Sequence, residues 1–379
     1  MGPKKQSSMR LWLRQMASSW APYAALVGLV YGCATPERLA KRIVTAPNVQ
    51  HPPSAGMVDR WVQALGAGED PFIYYNVPVG PPEATLALME LPPADYHLEM
   101  VSSIRKRSNG RADFEFKMER QVPATTTRVP ARGTIFVLHG YGSRKEVMVP
   151  WAFALAKSGY RVVLPDVRGH GRSTGQTFTC GKQEAADLAQ ALDYLRTKPG
   201  HRGEVGVLGL SFGADLALQW AARDARVASV VAIAPYNHPD DALIRFAHAV
   251  GVPVGAATVR EAMRRAGARF DLDWSELSGE YNVRRLTRPV LFIGGGNDAI
   301  SPPADLEALE QAAPPGSNRI MIPEANHFAV AFCFYRIEAP VTGWFENHLP
   351  ASADVAVTPN SGAEASAAGS DHTRGDKGR

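Results

Sequence analysis

Gly209-Leu210-Ser211-Phe212-Gly213 is the stretch whose reading decides the fold. Before it runs EVGVLGL (residues 204–210), apolar and β-branched; after it runs ADLALQWAAR, a helical pattern. A G-x-S-x-G motif gains meaning in that setting, a tight turn from strand into helix. The flanking glycines are required because the turn presses backbone against backbone and leaves no room for a side chain. The serine then projects beyond the sheet, at the start of a helix whose dipole favours developing negative charge.

Outward from this turn the chain alternates short apolar runs with amphipathic ones. The strand-like runs are 134–138, 160–165, 204–210, 227–234, 290–294 and 319–322. Most are β-branched and bounded by Gly, Pro or Asp, as expected of strands buried on both faces. The clearest helix carries Ala185, Leu188, Ala189, Leu192 and Leu195 on one side and stops before Pro199-Gly200. Alternating strands and helices predict a mostly parallel sheet with helices on both faces. Residues 97–105 and 112–120, joined through Ser108-Asn109-Gly110, read as a hairpin adding an antiparallel edge to it. About fifty residues separate the runs ending at 234 and beginning at 290, and they hold two helical patterns, 241–250 and 258–267. An insertion at that point lies above the carboxyl ends of the strands, so a helical cap is expected over about 236–286.

A serine hydroxyl is a weak nucleophile and needs a base, which in turn needs an orienting acid. Asp298 follows one strand within GGGNDAISPP, and His327 follows the last within PEANHF. None of the nine other histidines follows a final strand. Asp240 and Asp241, just after the preceding strand, are the rival orienting acids. An oxyanion needs two backbone N–H groups; the candidates are Phe212, next to the serine, and Tyr141 in the loop His139-Gly140-Tyr141-Gly142. His139 is expected to shape that loop. Its other reading, a metal ligand with His170 and Asp166, lacks ligand spacing.

Taken together, HGYG, DVRGHGRS (166–173), GLSFG, GGGNDAIS and ANHF stand in an order that resembles the α/β-hydrolase superfamily, from about His97 to Leu349. Within it the pattern looks like the serine-esterase, monoacylglycerol-lipase and serine-aminopeptidase-like branch. The resemblance implies the chain order nucleophile, acid, base for Ser211, Asp298 and His327. It gives DVRGHGRS a structural role beside the pocket. Asn326 departs from the pattern, standing before the histidine where glycine is common.

The ends read differently from the middle. Lys4, Lys5, Arg10 and Arg14 precede an apolar run of about a dozen residues from Trp20 to Tyr31, then Gly32-Cys33. That run is short for a bilayer span and suits a signal peptide over residues 1–32. Small residues before a cysteine resemble a bacterial lipoprotein signal, implying lipidation of Cys33 and an anchor in the cell envelope. Ala34 by the same resemblance favours the outer membrane; an uncleaved inner-membrane anchor is the alternative. Residues 33–96 form an extension of unknown role, 97–350 the hydrolase domain, and 351–379 a tail too poor in apolar residues to fold. Of the three cysteines, Cys180 and Cys333 remain once Cys33 is set aside, either as a bridge or as two thiols.

The chain of 379 residues is 45% hydrophobic and 21% charged, ordinary for a protein with a large core, and its net charge of +4 gives no nucleic-acid footprint. GQTFTCGK (175–182) has one residue too many for a phosphate-binding loop, and Ser211 excludes a carboxylate nucleophile. The expected function is hydrolysis of a carboxylic ester through an acyl-enzyme on Ser211, with no cofactor or metal. Phe246, Val250, Val252, Val254, Met263 and Phe270 in the cap region imply an apolar acyl pocket. The alternatives are a serine peptidase, aminopeptidase or amidase on the same triad, and a non-catalytic lipid-anchored binding module.

Overall fold

The computed structural model describes residues 11–12, 35–48, 71–96, 98–106, 112–120, 129–201, 203–252 and 254–349. The predicted apolar run, Cys33 and the tail over 351–379 lie outside the described residues. No helix among those described is long and apolar enough to cross a membrane.

Eleven strands are described: β1 (Leu11–Trp12), β2 (Ile73–Val79), β3 (Ala84–Leu91), β4 (Leu98–Lys106), β5 (Ala112–Arg120), β6 (Thr134–Leu138), β7 (Arg161–Pro165), β8 (Val205–Leu210), β9 (Val227–Ile233), β10 (Val290–Gly295) and β11 (Asn318–Ile322). Eight form one sheet in the order β11-β10-β9-β8-β6-β7-β3-β2. From β7 through β11 the neighbours are parallel, with Ile135 of β6 opposite both Val162 of β7 and Gly206 of β8. β6, β9 and β10 are buried along their whole length, which is why they read as unbroken apolar runs.

The antiparallel edge is not the one expected. β4 and β5 do form the predicted hairpin, but it pairs with β1 in a separate three-stranded sheet. The edge of the main sheet is instead the β2–β3 hairpin, with β3 antiparallel to β7. The boundary at 97 therefore falls inside the fold, since residues 73–91 belong to its sheet. Pro78 hides β2 in the sequence, yet an outermost strand tolerates a residue that cannot donate to the ladder.

Helices cover both faces. On one, α2 (Val149–Lys157) and α9 (Phe334–His348) bring Trp151 and Phe334 within 4.5 Å, ring to ring. On the other, α3 (Lys182–Arg196), α4 (Phe212–Ala221) and α8 (Pro303–Ala312) close the second core, where Trp220 meets Phe136 edge-on at 5.1 Å.

The cap interval holds α5 (Pro239–Ala249), α6 (Ala256–Phe270) and the short α7 (Gly279–Val283). A ninth described helix, α1 (Pro36–Ile43), comes first in the chain and packs on α6. It starts at Thr35, whose Oγ1 accepts the Arg38 N–H; Pro36 and Glu37 suit its first turn, Lys41 and Arg42 its last. Val252, Val254 and Met263, expected to line a pocket, are buried with Ala40, Ile43 and Val44 in a satellite core, and Val250 and Phe270 pack on it. Those apolar residues face a partner some two hundred positions away in sequence, which no local pattern discloses.

At the far end of the sheet, Glu90 is fully buried against Arg161, Tyr75 and His201. The Tyr75 hydroxyl donates to it at 3.0 Å, and His201 Nε2 approaches to 3.0 Å. Burial by itself pushes the Glu90 carboxyl up, but His201 and then Arg161 outweigh it and hold the group below its ordinary value. A carboxyl whose folded pKa is depressed stabilises the fold above its unfolded value of about 4.3, and that stabilisation is lost as pH falls through the folded value. Glu90→Gln is expected to cost about 3 kcal/mol at neutral pH. Thermal midpoints across a pH series should show this gap closing on the acid side.

Candidate active site

The turn at Ser211 depends on contact between backbones. A Cβ on Gly209 would stand 2.1 Å from the Gly213 carbonyl oxygen, and one on Gly213 would stand 2.5 Å from that of Leu138. Neither neighbour is a side chain that can yield. Ser211 itself sits at φ 55° and ψ −121°, a region costly for any residue with a Cβ. Its N–H donates to Ile233 O at 2.8 Å, and its carbonyl accepts from Ala214 and Asp215 as the helix begins.

The loops after β10 and β11 are brought together in the same way. A Cβ on Gly295 would meet Ala325 O at 2.4 Å, and one on Gly296 would meet Pro323 O at 2.5 Å. The glycine run of GGGND thus lets the Asp298 loop lie directly on the His327 loop. His327 Nδ1 is 2.8 Å from Asp298 Oδ2, and its Nε2 is 2.8 Å from Ser211 Oγ. With Nδ1–H donating to the carboxylate, Nε2 is left to accept the serine proton. The second carboxylate oxygen, Oδ1, accepts the N–H groups of Ile300 and Ser301, both at 2.8 Å. Ser301 Oγ in turn donates to Ala234 O at the end of β9. Asn326 replaces glycine usefully: its Oδ1 accepts from the N–H of Phe328 and of Ala329, at 3.1 and 3.0 Å, closing the turn that holds His327.

Asp240 and Asp241 are placed elsewhere. They stand in the first turn of α5 and each pairs with Arg260 of α6 at 3.1 Å.

The loop 139–142 lies beside Ser211, for a Cβ on Gly140 would be 3.6 Å from Ser211 Cβ. His139 is fully buried and ties this loop to the next, Nδ1 to Gly140 O at 2.9 Å and Nε2 accepting from the Val167 N–H at 3.1 Å. The Tyr141 ring packs on Phe178 at 5.1 Å, on His170 at 5.7 Å and on Phe246 of α5 at 6.4 Å. The His170 ring lies parallel to Phe212, with 6.3 Å between centroids. Burial, and then the neighbouring His139, push His170 down to about 3; burial lowers His139 as well. Both rings are therefore neutral props. Among the described residues no group of three His, Cys, Asp or Glu could hold a metal ion.

Asp166 anchors the same loops, accepting from the N–H of Lys145 and of Arg172 and pairing with the Lys145 ammonium. Arg168 forks onto Asp187 at 2.6 and 2.7 Å, with both side chains buried. Lys145 and Asp187 carry no signal in the sequence, since each acquires its partner only through folding. Asp215, four residues after Ser211, was equally invisible. Its buried carboxyl is pushed well up, by burial first, beside a Tyr236 phenol that burial also raises. Cys180 and Cys333 are both free thiols, and burial pushes Cys333 up to about 12.

A family model described as serine aminopeptidase, S33, matches residues 129–270. Among curated proteins, an uncharacterized protein of Bacillus subtilis, YqkD, is 34% identical over 88 residues, 23% of this chain and 29% of its own length. The thiohydrolase aneE of Aspergillus aculeatus is 32% identical over 110 residues, 28% of this chain and 35% of its own length. The chain thus spans about a third of those two relatives. Among solved structures, an esterase of Pyrococcus furiosus superposes with a TM-score of 0.53 at 18% identity, over 73% of this chain and 94% of the esterase. A 2,6-dihydroxy-pseudo-oxynicotine hydrolase also gives 0.53, at 16% identity, over 78% of this chain and 73% of that one. With the sheet order and the strand-turn-helix at Ser211, these superpositions establish the α/β-hydrolase fold.

Strain at Ser211 is open to measurement. Relief of the positive φ is worth about 1–3 kcal/mol, against less than about 1 kcal/mol of extra unfolded-state entropy for glycine. Ser211→Gly should therefore be more stable than Ser211→Ala by about 1 kcal/mol in denaturant titration. Gly209→Ala, which places a methyl inside a backbone, should not yield folded protein.

Proposed function

We propose that the protein is a serine hydrolase that cleaves a carboxylic ester through an acyl-enzyme on Ser211. The observation that carries this reading is the relay of two 2.8 Å contacts from Asp298 through His327 to a half-buried serine on a strained turn. In the proposed reaction His327 Nε2 takes the hydroxyl proton as Ser211 Oγ attacks the acyl carbonyl. Asp298 holds the imidazole in the right tautomer and stabilises its positive charge. The backbone N–H groups of Phe212 and Tyr141 receive the oxyanion. The first of these belongs to the opening turn of α4, where N–H groups lack partners within the helix. The imidazolium then gives its proton to the leaving alcohol. Water, deprotonated by the same imidazole, releases the acid and restores Ser211.

The surroundings favour an apolar acyl group. Tyr141 and Phe328 each expose 36% of their surface beside the relay, the latter 5.3 Å from His327. Hydrolytic relatives support the same class: the fungal relative is a thiohydrolase, and the archaeal structure is an esterase. The family description names a serine aminopeptidase, so peptide and amide bonds are the competing substrates.

Fluorophosphonate labelling of the full chain, alongside p-nitrophenyl esters of increasing acyl length, tests the proposal. Label is expected on Ser211 and absent from Ser211→Ala. Ester turnover should pass through an optimum at moderate chain length. Asp298→Asn should lower kcat by about 10⁴-fold, because the imidazole loses its orienting acceptor. Labelling without ester turnover reassigns the substrate to an amide or peptide. No labelling of folded protein overturns the enzyme reading.

A further inference from the structure

Helices α1 and α6 meet through buried Ala40, Ile43, Val259, Ala262, Met263 and Ala266, and together they turn a cationic face outward. Between them opens a cavity of about 350 Å³ walled by Lys41, Arg264, Arg265 and Arg269, with Phe270 at its edge and one carboxylate, Glu37. Arg265 bridges Glu37 and Glu261, at 3.2 and 2.7 Å, and Arg264 also pairs with Glu261 at 2.8 Å. The two carboxylates leave the face net positive, and Lys41, Arg264 and Arg269 stand exposed on it.

The place of this face in the chain is its second distinguishing feature. Thr35, the cap of α1, follows Cys33 by two residues and the end of the apolar run at Tyr31 by four. Two residues span at most about 7 Å. Attachment to a bilayer through either Cys33 or the apolar run therefore brings α1 to the depth of the headgroups. A cationic face held there meets the negative surface potential of anionic lipid within a Debye length.

We infer that the α1–α6 face docks on an anionic phospholipid surface, with a headgroup phosphate seated in the cavity between Lys41 and Arg269. The inference rests on the membrane attachment expected of the N-terminus and is independent of the ester chemistry. Docking reaches the site by two routes. Leu243, Ile244 and Ala247 of α5 pack on the α1–α6 core, so the element that carries Phe246 to Tyr141 rides on the docked pair. Residues 44–48, continuing from α1, are strapped to the loop after β7: the Phe178 N–H donates to Val44 O and the Ala46 N–H to Gln176 O, each at 2.9 Å. The mouth beside Ser211 is thereby held close to the phase in which apolar acyl substrates dissolve.

The test uses the full chain bound to vesicles of phosphatidylcholine alone or of phosphatidylcholine with phosphatidylglycerol. Acetylation by a water-soluble amine reagent is read at Lys41 by mass spectrometry. Lys198, at the opposite end of the sheet in the turn before β8, serves as the internal reference. Lys41 is expected to react roughly fivefold more slowly on the anionic vesicles, with Lys198 unchanged. High salt should abolish the difference, as should the double substitution Arg264→Glu/Arg269→Glu, with an unaltered melting temperature confirming its fold. Equal Lys41 reactivity on both vesicles, protection that survives charge reversal, or failure to bind the anionic vesicles overturns the inference. Equal protection by inorganic phosphate without vesicles overturns it too, reassigning the cavity to a soluble anion. Ser211→Ala should give the wild-type footprint, so docking and ester chemistry fail or stand separately.

Discussion

The proposed chemistry hangs on the contact between the end of β8 and the start of α4. Gly209 and Gly213 touch there, backbone to backbone, and Gly213 also abuts the end of β6. That crowding forces Ser211 into a conformation that costs about 1–3 kcal/mol. The strain persists because both flanking elements are fixed by the core. β8 lies between β6 and β9, and Phe212, Leu216 and Trp220 of α4 are buried beneath the sheet. A loop of the same conformation without that support would relax, and the hydroxyl would lose its aim at His327.

A second contact of the same kind sets the other half of the relay. The loops carrying Asp298 and His327 approach each other over Gly295 and Gly296, and the acid is then fixed by two N–H donors and the imidazole by an Asn326 turn. Precision at Ser211 is thus produced by backbone packing and short local hydrogen bonds, not by long flexible side chains. The buried ion pairs serve the loop next to it. Asp166 with Lys145 and Arg168 with Asp187 pin residues 166–173, and His139 carries that rigidity into the loop at Tyr141.

Much of this was legible in the sequence because it rests on short-range patterns. β6 through β11 are apolar runs ending in turn residues, and the relay residues each follow such a run. What was not legible required knowledge of distant partners. The Ser108-Asn109-Gly110 turn between residues 97–105 and 112–120 announced a hairpin, but a turn signal says which strands pair locally and not which sheet they join. Pro78 and the Gly80-Pro81-Pro82 turn disguised β2 and β3 as loop. The apolar residues between α5 and the end of α6 were expected to line a pocket, yet α1 packs over most of them and buries them instead.

For the proposed hydrolase, that last difference moves substrate selectivity away from the cap. A cap whose Val252, Val254 and Met263 are buried against α1 has little apolar surface of its own to offer a ligand. Phe246 is the cap's aromatic contact with Tyr141, and the other rings near Ser211 come from the sheet side: Tyr141 and Phe328, which are exposed, and Phe178 and Phe212, which are buried, with Phe178 touching both Tyr141 and Phe212. Rings packed edge to face have few rotamers to choose among, so they shape a mouth more rigidly than aliphatic side chains would. The cap is then better understood as a brace than as a lining. It holds Phe246 over the loop at Tyr141, while α1 and the strap at residues 44–48 fix the brace to the loop beneath.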